Sequence, residues 1–173
     1  VYKRQERAIE IARKEVEDGG TVYTYGELIH NLTVIDELRA EGIIPAETLE
    51  EIPAGSNVII RSHGVAPQEI KKCREFGLYA VDATCPFVKR IHNIVEKHSD
   101  EGYSVVIFGE SRHPEVKGIQ GWAKGAAVVS DPEQARKLPH MQKCCLVSQT
   151  TACEECFRQV EAVSYTHLRA HET

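Results

Sequence analysis

Short apolar runs alternate with amphipathic stretches along nearly the whole chain, and this alternation limits the fold more than any other feature. Residues 22–25, 57–61, 103–108, 126–129 and 144–147 have the length and the β-branched or aromatic content of strands. Residues 43–44 and 78–81 add two briefer ones. Between them, apolar residues recur at helical spacing. Ile9, Ala12 and Val16 share one face, Leu32, Ile35 and Leu38 point inward behind an Asn31 cap, and Val88, Ile91 and Val95 follow Pro86. Pro67, Pro86 and Pro132 open helices, and Gly42 and Gly77 end them. A last helix is predicted over 152–163. Strands that alternate with helices pack as parallel sheets flanked by helices, so the fold class is α/β. A border near residues 96–102 divides the chain into two similar units, a first lobe over 6–98 and a second over 99–163.

Composition narrows the function classes. With 42% hydrophobic and 27% charged residues, the chain of 173 has ordinary globular content. Its net charge of −5 argues against a nucleic-acid partner. No apolar run reaches membrane-spanning length and no signal peptide is visible. Six cysteines are too few for a disulfide scaffold, which together with the absent signal points to a reducing, cytoplasmic compartment. Met141 is the only methionine, so Val1 is not a natural start. Residues 1–5 and 164–173 read as translated adaptor sequence, and the expectation is a fragment of a longer protein.

The polar groups gather in a pattern. Loops at His30, His63, Cys85, His113 with Glu115, and Thr150 each follow the carboxyl end of a predicted strand. In open α/β sheets these ends lie on one side, where ligands bind, so the loops are expected to converge on one pocket. Cys85 stands between a strand and Pro86, near a helix N-cap, where the helix dipole favours a thiolate; its alternative is a buried structural cysteine. His30 and His63 in equivalent loops suit an anion such as a diphosphate, or are ordinary hydrogen-bonded loop residues. Glu115 is a candidate proton carrier, or a carboxylate placed by a helix N-terminus. Thr150 and Thr151 would relay that proton or cap the next helix.

Cys153-Glu154-Glu155-Cys156 reads as a redox pair or as half of a metal site, with Cys144 and Cys145 as the other half. The position of both Cys153 and Cys156 inside the predicted last helix weighs against the metal site. His92, His98 and His140 read as surface residues. Two rival functions fit the same loops: a zinc-dependent hydrolase, and a non-enzymatic diphosphate-binding module.

Glu6-Arg7-Ala8-Ile9, Glu27-Leu28-Ile29-His30-Asn31, Ser62-His63-Gly64-Val65, Asp82-Ala83-Thr84-Cys85-Pro86, His113-Pro114-Glu115-Val116-Lys117-Gly118 and Ser148-Gln149-Thr150-Thr151 occur in this order. In that set the chain resembles the IspH/LytB family of 4-hydroxy-3-methylbut-2-enyl diphosphate reductases over residues 6 to about 163. The resemblance implies a three-lobed α/β protein around a 4Fe–4S cluster held by three cysteines. It implies an enzyme of the non-mevalonate isoprenoid pathway, in which two electrons and two protons remove the substrate hydroxyl as water to give isopentenyl and dimethylallyl diphosphate. Carried over by position, Cys85 would be one cluster ligand. His30, His63, His113 and Thr150 would contact the diphosphate substrate, Glu115 would donate a proton, and Thr150 would hydrogen-bond Glu115. The electron donor would be a ferredoxin or flavodoxin. Two of the three cluster cysteines have no counterpart, Tyr2 standing near the place of the first, so the chain by itself is expected to be inactive.

Overall fold

A computed structural model describes residues 2–28 and 31–169, with side chains over 6–28 and 31–164. The chain divides into two compact units, residues 1–86 and 87–173. In the first, α1 (Tyr2–Gly19) leads into β1 (Val22–Tyr25), α2 (Leu32–Ala40) and β2 (Ile43–Ala46). A 3-10 turn (Leu49–Glu51), β3 (Asn57–Ile60), α3 (Pro67–Glu75) and β4 (Tyr79–Asp82) follow. All four strands run parallel in the order β2-β1-β3-β4.

The first strand therefore sits inside the sheet. From β1 the chain goes outward to β2 and then returns past β1 to β3, so β1 and β3 flank a topological switch point. Alternate residues of β3 face opposite sides. Ile59 joins Ala8, Ala12, Val22, Leu38 and Ile43 in one apolar layer. Val58 and Ile60 join Leu49, Ile52, Cys73 and Leu78 in the other. A strand covered on both faces reads as a continuous apolar run, as Val58, Ile59 and Ile60 do.

The second unit repeats the plan. It is built on α4 (Pro86–Asp100), β5 (Ser104–Phe108), α5 (Pro114–Gln120), β6 (Ala126–Val129), α6 (Pro132–Arg136), β7 (Cys144–Ser148) and α7 (Glu154–Arg169). Its parallel sheet has the order β6-β5-β7, again with the first strand central and a switch point beside it, between β5 and β7. Val105, Ile107, Val116 and Ile119 pack on one face, and Val106, Phe108, Val129 and Val160 on the other.

Several expectations change. The units part after Pro86 rather than near residue 98, because Ile91, Ile94 and Val95 of α4 pack against Val105 and Ile107. Leu32 does not point inward: it is 78% exposed, while Ile35 and Leu38 are buried. Two successive steps of three residues drift around the helix, and the first-turn residue falls off the covered face. His92 is not a surface residue. It is buried and stacks on Trp122, with ring centroids 5.1 Å apart and planes 19° from parallel. The last helix runs on to Arg169, through residues placed in the non-native tail.

Tyr25 ends β1 and donates its hydroxyl to Glu69 Oε2 of α3 at 2.9 Å. Burial first, and the neighbouring Glu69 carboxylate second, push the phenol up to about 12. The sign follows: the unfolded phenol ionises first as pH rises, so this contribution is whole below about pH 10 and is lost on the way to 12. Spectrophotometric titration should show a late-ionising step from Tyr25, and Glu69→Gln should move that step to lower pH.

Candidate functional site

The loops that follow the parallel strands carry the polar residues singled out by sequence, and each unit is built by its own local rules. In the first unit, β3 ends at Ile60 and the chain turns at once, with Gly64 N–H donating to Arg61 O at 3.0 Å. Gly64 closes that turn at φ 68°, a left-handed conformation suited to glycine. His63 occupies the bend, partly buried.

Cys85 stands beside it in the hydrogen-bond ladder. β3 and β4 are neighbours, and their pairing continues past the strand ends: Ala83 N–H donates to Ile60 O at 3.0 Å and Cys85 N–H to Ser62 O at 2.9 Å. Asp82 Oδ1 accepts from Thr84 N–H at 2.9 Å, a local turn that short acidic side chains favour. Arg7 of α1 donates from Nη1 to Thr84 O at 3.2 Å and to Ala83 O at 3.5 Å. The cysteine turn is thus held by a neighbouring strand end, its own aspartate and a guanidinium. Cys85 is 3% exposed and immediately precedes α4. His30 lies outside the described residues.

In the second unit the pieces meet directly. α5 starts at Pro114 with His113 as its N-cap, and Glu115 N–H donates to His113 Nδ1 at 3.2 Å. A neutral imidazole that accepts at Nδ1 carries its proton on Nε2, so His113 presents an N–H donor on its other side. The first helical turn then directs Glu115 inward, where it is 1% exposed. From the neighbouring strand end, Thr150 donates its backbone N–H to Glu115 Oε1 at 2.6 Å and its hydroxyl to Glu115 Oε2 at 2.8 Å. Both carboxyl oxygens are occupied by one residue 35 positions away. A buried carboxylate survives only with such partners.

Gln149 and Gly109 were not assigned roles by sequence, yet they bring these loops together. Gln149 is 6% exposed; its Oε1 accepts from Glu110 N–H at 3.1 Å and its Nε2 donates to Thr151 Oγ1 at 2.7 Å. A Cβ on Gly109 would stand 2.9 Å from the Gln149 side chain and 2.9 Å from Val116 Cγ2. The β5 and β7 loops approach this closely because glycine has no side chain there. A polar residue directly after a buried strand was the available signal for Gln149. Nothing in the sequence marks Gly109 as a close-approach position.

The remaining cysteines do not form a metal site. Cys73 is buried in the first core, and Cys144 and Cys145 lie on β7 with their thiols pushed up by burial. Cys153 and Cys156 are exposed. Among the described residues no group of three or more His, Cys, Asp or Glu is placed to hold a metal ion, which removes the four-cysteine zinc site. No described helix is long and apolar enough to cross a membrane.

Both units are parallel α/β sheets, with an imidazole and a thiol in the first and a clamped carboxyl group in the second placed beyond the carboxyl ends of their strands, the end at which open α/β sheets bind ligands. The sequence matches the LytB protein family model over residues 5–173, and the chain belongs to that family. A relative from Thermoanaerobacter sp., named 4-hydroxy-3-methylbut-2-enyl diphosphate reductase, is 43% identical over 159 residues, covering 89% of this chain and 55% of that protein. One of the same name from Desulfotalea psychrophila is 44% identical over 162 residues, covering 91% and 52%. Among solved structures, the E-1-hydroxy-2-methyl-but-2-enyl-4-diphosphate reductase from Plasmodium falciparum superposes with a TM-score of 0.85 at 29% identity, covering 96% of this chain and 52% of that one. A second, titled (E)-4-hydroxy-3-methyl-but-2-enyl diphosphate reductase, gives 0.81 at 36% identity, with 94% and 59% covered. The chain spans about half the length of the curated relatives it matches.

Two variants test the construction of this site. Thr150→Val should lower stability in urea unfolding by about 1–3 kcal/mol, because Glu115 Oε2 is left buried without its donor, and Thr150→Ser should restore most of it. Gly109→Ala should cost about 1–3 kcal/mol, through displacement of Gln149 and Val116.

Proposed function

We propose that this chain is part of a reductase that removes the hydroxyl of (E)-4-hydroxy-3-methylbut-2-enyl diphosphate, giving isopentenyl and dimethylallyl diphosphate. The observation that carries the reading is Glu115: a buried carboxyl group, fixed through both oxygens by Thr150 beyond the ends of β5 and β7. Loss of a hydroxyl as water needs a proton delivered to the leaving oxygen, and a carboxyl group held in one orientation is suited to deliver it. Thr150 keeps the group in one orientation and connects it to the adjoining loop. His113, with Nδ1 engaged by the helix, offers Nε2–H to a phosphate oxygen, and His63 and His30 are assigned the same task. These imidazoles bind the diphosphate and leave the proton transfer to Glu115.

Cys85 fits the part of one thiolate ligand to a 4Fe–4S cluster: it is buried, held by its turn, and placed before a helix. One thiolate is not a cluster site, and the described residues do not supply the others. When bound in the whole protein, such a cluster supplies electrons and a Lewis-acidic iron. The electrons are assigned to a ferredoxin or flavodoxin, and the compartment to the cytoplasm.

In a protein of the relatives' full length that contains this sequence, Glu115→Gln should lower kcat by about two to four orders of magnitude. Binding of inorganic diphosphate should be nearly unchanged. His113→Ala and His63→Ala should weaken diphosphate binding instead. Equal loss of diphosphate binding in all three variants would remove the division of roles. The chain of 173 residues alone, treated with iron and sulfide under anaerobic conditions, should show no turnover.

A further inference from the structure

Cys153 and Cys156 take no part in the site described above, and their geometry has chemistry of its own. Cys153 directly precedes α7, and its carbonyl oxygen accepts the first helical bond, from Phe157 N–H at 3.0 Å. Its Sγ accepts from Cys156 N–H at 3.4 Å. The sulfur therefore acts as the helix cap, among amides that have no partner within the helix and at the positive end of a long dipole. Residues three apart on a helix have Cα atoms about 5 Å apart, within the span that a disulfide bridges.

Both thiols are exposed, whereas Cys73, Cys85 and Cys145 are buried and Cys144 is partly covered. The pair is also unequal. Hydrogen bonds from the Cys156 thiol and amide hold the Cys153 thiol below its ordinary range, and the same thiol contact pushes Cys156 up. Desolvation opposes the first effect without reversing it.

We propose that Cys153 and Cys156 form a thiol–disulfide exchange site on the exposed first turn of α7, with the disulfide of a small thiol as its oxidising substrate. Cys153 attacks one sulfur of that disulfide, forming a mixed disulfide and releasing one small thiolate. Cys156 then attacks Cys153 Sγ, closing the intramolecular bond and releasing the second thiolate. The two protons lost by the cysteines end on the two small thiols, so the pair is oxidised by two electrons and the substrate is reduced by two. The site needs no metal and does not depend on the reductase reading.

The test uses the whole chain and oxidised glutathione. After reaction and alkylation, the peptide holding both cysteines should be lighter by two hydrogens, with Cys73, Cys85 and Cys145 still reduced. In the reduced chain, iodoacetamide should label Cys153 about tenfold faster than Cys156. Cys156→Ser should stop at a stable glutathione adduct on Cys153, and Cys153→Ser should form no intramolecular bond. Both positions are exposed, so circular dichroism should show either variant folded. Equal labelling rates, or a wild-type chain that stops at the glutathione adduct, would overturn the proposal.

Discussion

Parallel pairing between a central first strand and the third strand beside it is the constraint on which the rest depends. β1 pairs with β3 in the first unit and β5 with β7 in the second. Because the strands run the same way, their following loops emerge at the same end. In the second unit those loops close on one another, with Glu110 N–H donating to Gln149 Oε1 at 3.1 Å. Residues far apart in sequence become neighbours through this ladder. Gln149 N–H, for example, extends the β5–β7 pairing by donating to Phe108 O at 2.8 Å.

The two units use that device differently. In the second, a carboxyl group and its hydroxyl partner lock together, and an imidazole caps the helix that carries the acid. In the first, backbone bonds and Arg7 hold a cysteine turn, and the thiol is kept buried without entering the hydrophobic layers of the sheet. Each arrangement ties up backbone and leaves a reactive side chain in a fixed place. Such preorganisation is what proton transfer and metal ligation both require.

Cys153 and Cys156 show a third use of a strand-end segment. They follow Thr150 by only a few residues, yet they face solvent while Thr150 faces Glu115. The same helix N-terminus thus separates a buried polar contact from an exposed pair of thiols. The tight turn between them, with Ala152 N–H donating to Gln149 O at 3.0 Å, makes the separation possible.

The α/β class, the strands and the polar loops could be read from sequence because periodicity and punctuation by glycine and proline are local properties. Asn31 could be placed as a helix cap for the same reason, and its side chain accepts the expected backbone bonds. Glu115, Thr150, Cys85 and His63 could be chosen because each follows a strand. Their partners could not. That Thr150 meets Glu115, that Gly109 must lack a side chain, and that His92 stacks on Trp122 depend on strand order and on which helix covers which face. Strand order is set by contacts between residues far apart in the chain, and no local pattern encodes them. The sequence alone determined which groups were available; tertiary packing decided which of them touch.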